Sequence, residues 1–204
     1  MSASVRDMTV GEEERIALRE KYGLPTDKKI FVYGGNLGKP QGIPFIIECL
    51  KAVKNDDTFF FIVGDGTEFT KLESFVNVEN PKNVLLKSRI PREDYNRLVA
   101  ACDVGMIFLD HRFTIPNFPS RLLSYMQAGL PVLACTDPNT DVGQVIEQGG
   151  FGKWCESNDT AAFSAAVDAL INADFDKMEE NALEYLKENY SADCAYEKII
   201  NSIK

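Results

Sequence analysis

"KIFVYGGNLGKPQGIPFIIECLKAVKNDDTFFFIVGDG" runs from residue 29 to residue 66, and its reading decides the fold. It opens with apolar and β-branched residues that end in two glycines, the pattern of a buried strand. Residues 43–55 then put Phe45, Ile46, Cys49, Leu50 and Val53 on one helical face. Residues 58–66 return to an unbroken apolar run that breaks at Gly64. Strand, helix and strand follow one another without a hairpin signal. That order fits a parallel pair with its crossover helix, and runs such as "FFFIV" suit strands buried on both faces.

The same alternation extends in both directions. Upstream, "ERIALREKYGL" reads as a helix closed by Gly23. Downstream come a short helix in "FTKLESFVNVE" and a strand over 83–90. The helix of "PREDYNRLVAACD" has Pro91 at its start, where proline is tolerated, and a strand over 104–110 follows. "IPNFPSRLLSYMQAGLPVLA" (115–134) supplies a helix, with Leu122, Leu123, Tyr125 and Met126 facing the core, and the strand "PVLAC". Next come a helix in "DVGQVIEQGG", a short edge strand in "FGKWCE", and a helix capped by Asp159 or Thr160. Closing helices are expected at 176–189 and 193–203. The expected fold class is α/β, a doubly wound, Rossmann-like parallel sheet in one domain spanning residues 1–204, with residues 1–24 as a linker helix. No internal repeat or low-complexity linker interrupts it.

Composition narrows the function classes. Apolar residues make up 45% and charged residues 26%, ordinary values for a globular domain. The net charge of −9 disfavours a nucleic-acid partner, which selects a basic face. No apolar run approaches the roughly 20 residues that span a bilayer. The polar, acidic start "MSASVRDMTVGEEER" is not a secretory signal. The five cysteines (Cys49, Cys102, Cys135, Cys155 and Cys194) show no zinc spacing, so buried free thiols in a reducing cytosol are expected.

In a doubly wound sheet, ligands sit beyond the carboxyl ends of the strands. Those ends read "GGNLGKPQG" (34–42), "GDGTE" (64–68), "KSRIP" (87–91), "DHRFTIPNFPSR" (110–121) and "CTDPNTDVG" (135–143). The glycine-rich turn at 34–42 lacks both P-loop and dinucleotide spacing, so alone it reads equally as a tight strand-to-helix turn. At 115–121, Pro116 and Pro119 hold the chain extended before a helix that Ser120 caps or begins. The helix mouth should expose N–H groups from about Phe118 to Leu122 with Arg121 beside them. This is an anion site made of backbone and one guanidinium.

The order "YGGNLGKPQG", "FIVGDG", "NVLLKSRIPREDYNRLVAACDVGMIFL", "PSRLLSYMQAGLPVLA" resembles the C-terminal half of a GT-B glycosyltransferase. The resemblance is to family four, a large retaining family, and within it to bacterial capsule and O-antigen aminosugar transferases. It covers about residues 25–200. It implies that this half binds a nucleotide-diphosphate sugar, UDP-linked, as donor substrate, with no cofactor and no metal. It implies Gly34, Gly35, Asn36 and Gln41 at the diphosphate, with Gly64 and Asp65 lining the cleft. Lys87 to Ile90 would flank the base, with Arg89 as the side-chain contact and Ile90 beside it. Asn117, Phe118, Pro119, Ser120 and Arg121 would face the sugar and phosphates, and Ser124 the ribose. The catalytic residues are left unassigned.

The chain departs from the family pattern in two places. Asn36 and Gln41 stand where an Arg and a Lys are usual, so Lys39 and Arg121 would carry the charge. Pro116 and Ser124 stand where two glutamates are usual, with Gln127 a candidate for the lost ribose contact. The resemblance also implies an acceptor-binding N-terminal domain outside this chain, peripheral association of the full protein with the inner face of a membrane, and an apolar face around Tyr196, Ile199 and Ile200. A donor-binding module without turnover and a sugar-nucleotide epimerase half are the alternative readings. An epimerase would require acid–base carboxylates and histidines in the cleft. His111, the one histidine, reads as a loop residue lining the cleft; Asp174 and Asp176 read as helix-capping rather than metal-binding. Asp137 and Asp141 read equally as sugar contacts or as an Asx-type turn. Trp154 is expected to pack near the sheet edge.

Overall fold

A computed structural model of the chain describes residues 8, 10–115, 117–191, 194 and 200. Pro116 and the closing segment with Tyr196 and Ile199 lie outside the described residues. The elements are α1 (Glu12–Tyr22), β1 (Lys29–Asn36), α2 (Ile43–Ala52), β2 (Thr58–Asp65), α3 (Phe69–Glu79), β3 (Val84–Lys87), α4 (Arg92–Ala100) and β4 (Val104–Phe108). They continue with α5 (Ser120–Gln127), β5 (Val132–Thr136), α6 (Val142–Gln148), β6 (Gly152–Glu156), α7 (Thr160–Ile171) and α8 (Phe175–Tyr190).

The six strands form one sheet in the order β3-β2-β1-β4-β5-β6, and every pairing is parallel. Alternate residues of each strand enter different cores. Ile30, Val32, Phe61 and Val63 pack on one face with α1, α4, α5, α6 and α8. Phe31, Tyr33, Phe60 and Ile62 pack on the other with α2, α3 and α7. This two-sided burial explains why the central strands read as continuous apolar runs. Chain order reverses between β1 and β4, so the switch point lies at the ends of those two strands.

The caps follow local chemistry. Gly23 ends α1 in the left-handed region at φ 76°. Asp159 accepts from the Ala162 amide at 2.8 Å and Asp174 from the Lys177 amide at 3.1 Å, so both aspartates act as N-caps. Trp154 lies on edge strand β6 and donates to the Thr136 hydroxyl at 2.9 Å. Four cysteines are buried free thiols; Cys194 is only partly buried.

Two expectations are corrected and one alternative is decided. β3 stops at Lys87 and β4 at Phe108, each shorter than the sequence pattern suggests. Ser88–Ile90 turn away from the sheet instead of extending it, because past Lys87 no residue of β3 pairs with β2. Of the two readings of Ser120, the second holds: it is the first helical residue of α5, and the cap position is Pro119, with ψ 119°.

Candidate functional site

The two glycines near the carboxyl end of β1 admit two side chains that build the site. At Gly34, a Cβ would collide with the Tyr95 ring and hydroxyl from α4. At Gly35, φ is 137°, a conformation that disfavours other residues, and a Cβ would lie 2.6 Å from Arg121 Nη2. The bare backbone of β1 therefore lets α4 and α5 close over it.

Arg121 comes from the first turn of α5. Its guanidinium carbon stands 4.4 Å from the centre of the Tyr33 ring, a cation–π contact. Tyr33 is itself fixed, since its ring is buried and its hydroxyl donates to the Asn36 carbonyl at 2.7 Å. Arg121 Nη1 is buried and has no hydrogen-bond partner among the described residues. A buried donor on a cation is costly to leave unmade. The position calls for an anion or other acceptor.

Beside it lies a cavity of about 540 Å³, whose wall includes Gly34, Gly35, Gly64, Asp65, Arg89, Ile90, Ser120, Arg121 and Ser124. The structure thus brings nine of the sequence-expected residues together. A smaller cavity of about 180 Å³ adjoins them, lined by Gln41, Asn117 and Pro119 and sharing Ser120 and Arg121 with the larger one. Asn36, Lys39 and Phe118 line neither cavity. Asn36 and the Gly38 amide both donate to Gln41 Oε1, at 3.2 and 3.1 Å, which closes the loop on itself. Lys39 is exposed in a short 3-10 turn over Lys39–Gln41. Phe118 instead stacks on Tyr190 at 5.4 Å.

The helix mouth is narrower than expected. The Leu122 amide donates to the Pro119 carbonyl at 3.0 Å and so is occupied. His111 is half exposed, with Nδ1 3.7 Å from Asp110, and is not part of either wall. Gln127 is likewise absent from the walls, while Ser124 is present. Asp137 Oδ1 accepts from the Asn139 amide at 2.8 Å, the Asx-type turn of the two readings.

Asp65 and Arg89 pair across the strand ends at 2.9 Å. The Arg89 guanidinium, and then the Gly66 amide, hold the Asp65 carboxyl below the usual carboxylate range. Asp65 is therefore an ionised partner of Arg89 near neutrality and makes a poor proton donor. Sequence reasoning missed Met8, Val63, Tyr95, Asn96, Val99 and Tyr125 as wall residues, while Ser88, within the expected 87–90 stretch, is among them. The helical spacing of Tyr95, Asn96 and Val99 could have flagged α4, since a helix entering from β3 must cross the strand ends. Tyr125 is buried and Tyr95 partly buried beside Arg121, and desolvation pushes the Tyr95 hydroxyl up to about 12.

The chain matches the family model described as "Glycosyl transferases group 1" over residues 14–189. The chain belongs to the group 1 glycosyl transferases. Among curated relatives of this family it is 27% identical to the probable glycosyltransferase WbjE of Pseudomonas aeruginosa, over 87% of this chain and 44% of that protein. It is 26% identical to the putative colanic acid biosynthesis glycosyl transferase WcaI of Escherichia coli (strain K12), over 100% of this chain and 50% of that one. The chain thus spans about half the length of these relatives. Its fold is similar to that of Anabaena Alr3699/HepE, solved in complex with UDP-glucose. The TM-score there is 0.76 at 17% identity, covering 99% of this chain and 55% of that one.

Proposed function

We propose that this chain is the donor-binding half of a retaining glycosyltransferase of surface-polysaccharide synthesis, and that its donor is a UDP-linked sugar. The observation that carries the reading is Arg121: a guanidinium held on Tyr33, with Nη1 buried and without a partner among the described residues, beside the glycine turn of β1. A diphosphate supplies the acceptors that this donor lacks. The first-turn amides of α5 add the positive end of a helix dipole.

The role of this half is to bind the donor and to stabilise the charge that grows on the diphosphate as the glycosidic bond breaks, by donors fixed beforehand. Arg121 is the cation of this site, and Lys39, exposed and outside both walls, does not share the task. The fold of a protein solved with UDP-glucose and relatives named for colanic acid synthesis support the nucleotide and the pathway class. The cavity wall carries one carboxylate, Asp65, already paired with Arg89, and no histidine among the described residues, which favours a transferase half over an epimerase. Acceptor binding belongs to a further domain, and turnover, in the cleft between the two, and peripheral membrane association to the whole protein.

Calorimetric titration with UDP, GDP and ADP tests the reading. UDP binds selectively, and Arg121→Ala weakens it by about 1.5–3 kcal/mol, the range for a hydrogen bond to a charged group. Absence of binding by all three at millimolar concentration contradicts it.

A further inference from the structure

The cavity has two chemically different sides. Toward β4 and β1 it carries Arg121 and the bare backbone of Gly34 and Gly35; toward β2 and β3 it is walled by Val63, Ile90 and Val99, with Ser88 and the Asp65–Arg89 pair also in the lining. Adjacent strands lie about 4.8 Å apart, so three spacings from β4 to β3 span about 14 Å. That is room for an extended nucleoside diphosphate with its phosphates on Arg121 and its base on the apolar side. An apolar slot binds a flat ring but does not choose among rings; the choice falls to polar groups at its rim. Two groups there are candidates, the backbone of Ser88–Ile90 and the side chain of Asn96. Arg89 is already committed to Asp65.

Asn96 sits on α4 one helical step from Tyr95 and three residues before Val99, and all three line the wall. Its carboxamide is exposed and has no hydrogen-bond partner among the described residues. We propose that Asn96 is a specificity-determining residue that reads the hydrogen-bonding edge of the base. The inference rests on the nucleotide-diphosphate reading of the cavity. A carboxamide offers one donor and one acceptor together. The imide edge of uracil offers the complement, a carbonyl beside an N–H. A carboxylate at the same place only accepts. It repels the uracil carbonyl and matches the adjacent N1–H and N2–H donors of guanine in a bidentate pair.

The test is titration of the wild-type chain, Asn96→Ala and Asn96→Asp with UDP, GDP and inorganic pyrophosphate, with thermal melts to verify folding. Asn96 is exposed, so all three should melt alike. The expected result is that Asn96→Ala weakens UDP about tenfold, within the range of one or two neutral hydrogen bonds, and leaves pyrophosphate unchanged. Asn96→Asp is expected to move the UDP-to-GDP preference toward GDP by about tenfold or more. If wild type binds UDP and pyrophosphate but neither variant alters the UDP-to-GDP ratio, Asn96 does not read the base, and the nucleotide reading survives. If wild type binds neither UDP nor pyrophosphate, both fall together.

Discussion

Arg121 depends on a tyrosine eighty-eight positions earlier in the chain, and the two should be read as a unit. Tyr33→Phe keeps the ring face and loses the bond to the Asn36 carbonyl. Its expected cost is about 0.5–1.5 kcal/mol of stability by denaturant titration, with UDP affinity held. Tyr33→Leu removes the face and should weaken UDP several-fold in the same calorimetric assay, because the guanidinium loses its platform. If Tyr33→Leu bound UDP as wild type does, the platform would be irrelevant to binding. Gly35→Ala is the steric counterpart. At φ 137° and 2.6 Å from Nη2, a methyl group must displace either backbone or Arg121, so UDP binding is expected to fall even where the fold survives. Arg121 was legible in the sequence as a cation at a helix mouth. Its platform was not, since nothing local in "KIFVYGG" says which face of β1 a residue of α5 will reach.

The elements are anchored at the opposite end of the sheet from the cavity. Asp103, between α4 and β4, is buried and accepts from the Ile30 amide at 2.7 Å and Arg19 Nη2 at 2.7 Å. Arg15 also pairs with it, and Lys29 lies at 3.6 Å. Arg19 additionally donates to the Ala101 carbonyl at 2.8 Å, so α1 is tied to the amino end of β4. Asp103→Ala leaves the Arg19 charge buried without its carboxylate partner, and the expected loss is about 3–5 kcal/mol in denaturant unfolding. An unchanged midpoint would mean that α1 contributes little to the domain.

A second tie lies on the ligand side, where the Asp110 amide donates to the Pro40 carbonyl at 2.8 Å and joins the loops after β1 and β4. The Asp110 carboxyl is lowered to about 2, chiefly by the Arg112 guanidinium beside it. A carboxyl lowered on folding adds stability above its unfolded value near 3.9, and that stability is lost as pH falls toward 2. Asp110→Asn should therefore melt below wild type at pH 7 and approach it near pH 2. A difference that stays constant with pH would contradict this.

Helix and strand identities at this scale followed from the sequence. "FFFIV" and "VGMIF" are buried on both sides and could hardly be misread. The end of β3 was misjudged because Ile90, a β-branched apolar residue typical of strands, follows after the chain has left the sheet.

At the scale of the molecule, a parallel sheet in the order β3-β2-β1-β4-β5-β6 fixes where a ligand must go, and the cavity lies there. The fold class was legible because alternation of strand and helix is a global pattern, insensitive to any one residue. The cavity wall was half legible. Residues at a strand end or a helix start, such as Gly34, Gly35 and Arg121, announce themselves by type, whereas Asn96 and Tyr95 look like ordinary helix positions until α4 is laid across the strand ends. Asn36 and Gln41 look alike in the sequence, polar and beside glycines, yet Asn36 lines neither cavity while Gln41 lines the smaller one, and both also hydrogen-bond within the turn.

The central claim is that a nucleoside diphosphate lies across these strand ends with its phosphates on Arg121. Amide chemical-shift mapping of the isotopically labelled chain with UDP tests it most directly. The account predicts saturable shifts at Gly34, Gly35, Gly64, Ser88–Ile90 and Ser120–Arg121, with the Arg121 side-chain signals moving as well, and little change around Asp103. Saturable shifts centred elsewhere, or none at millimolar UDP, would contradict it.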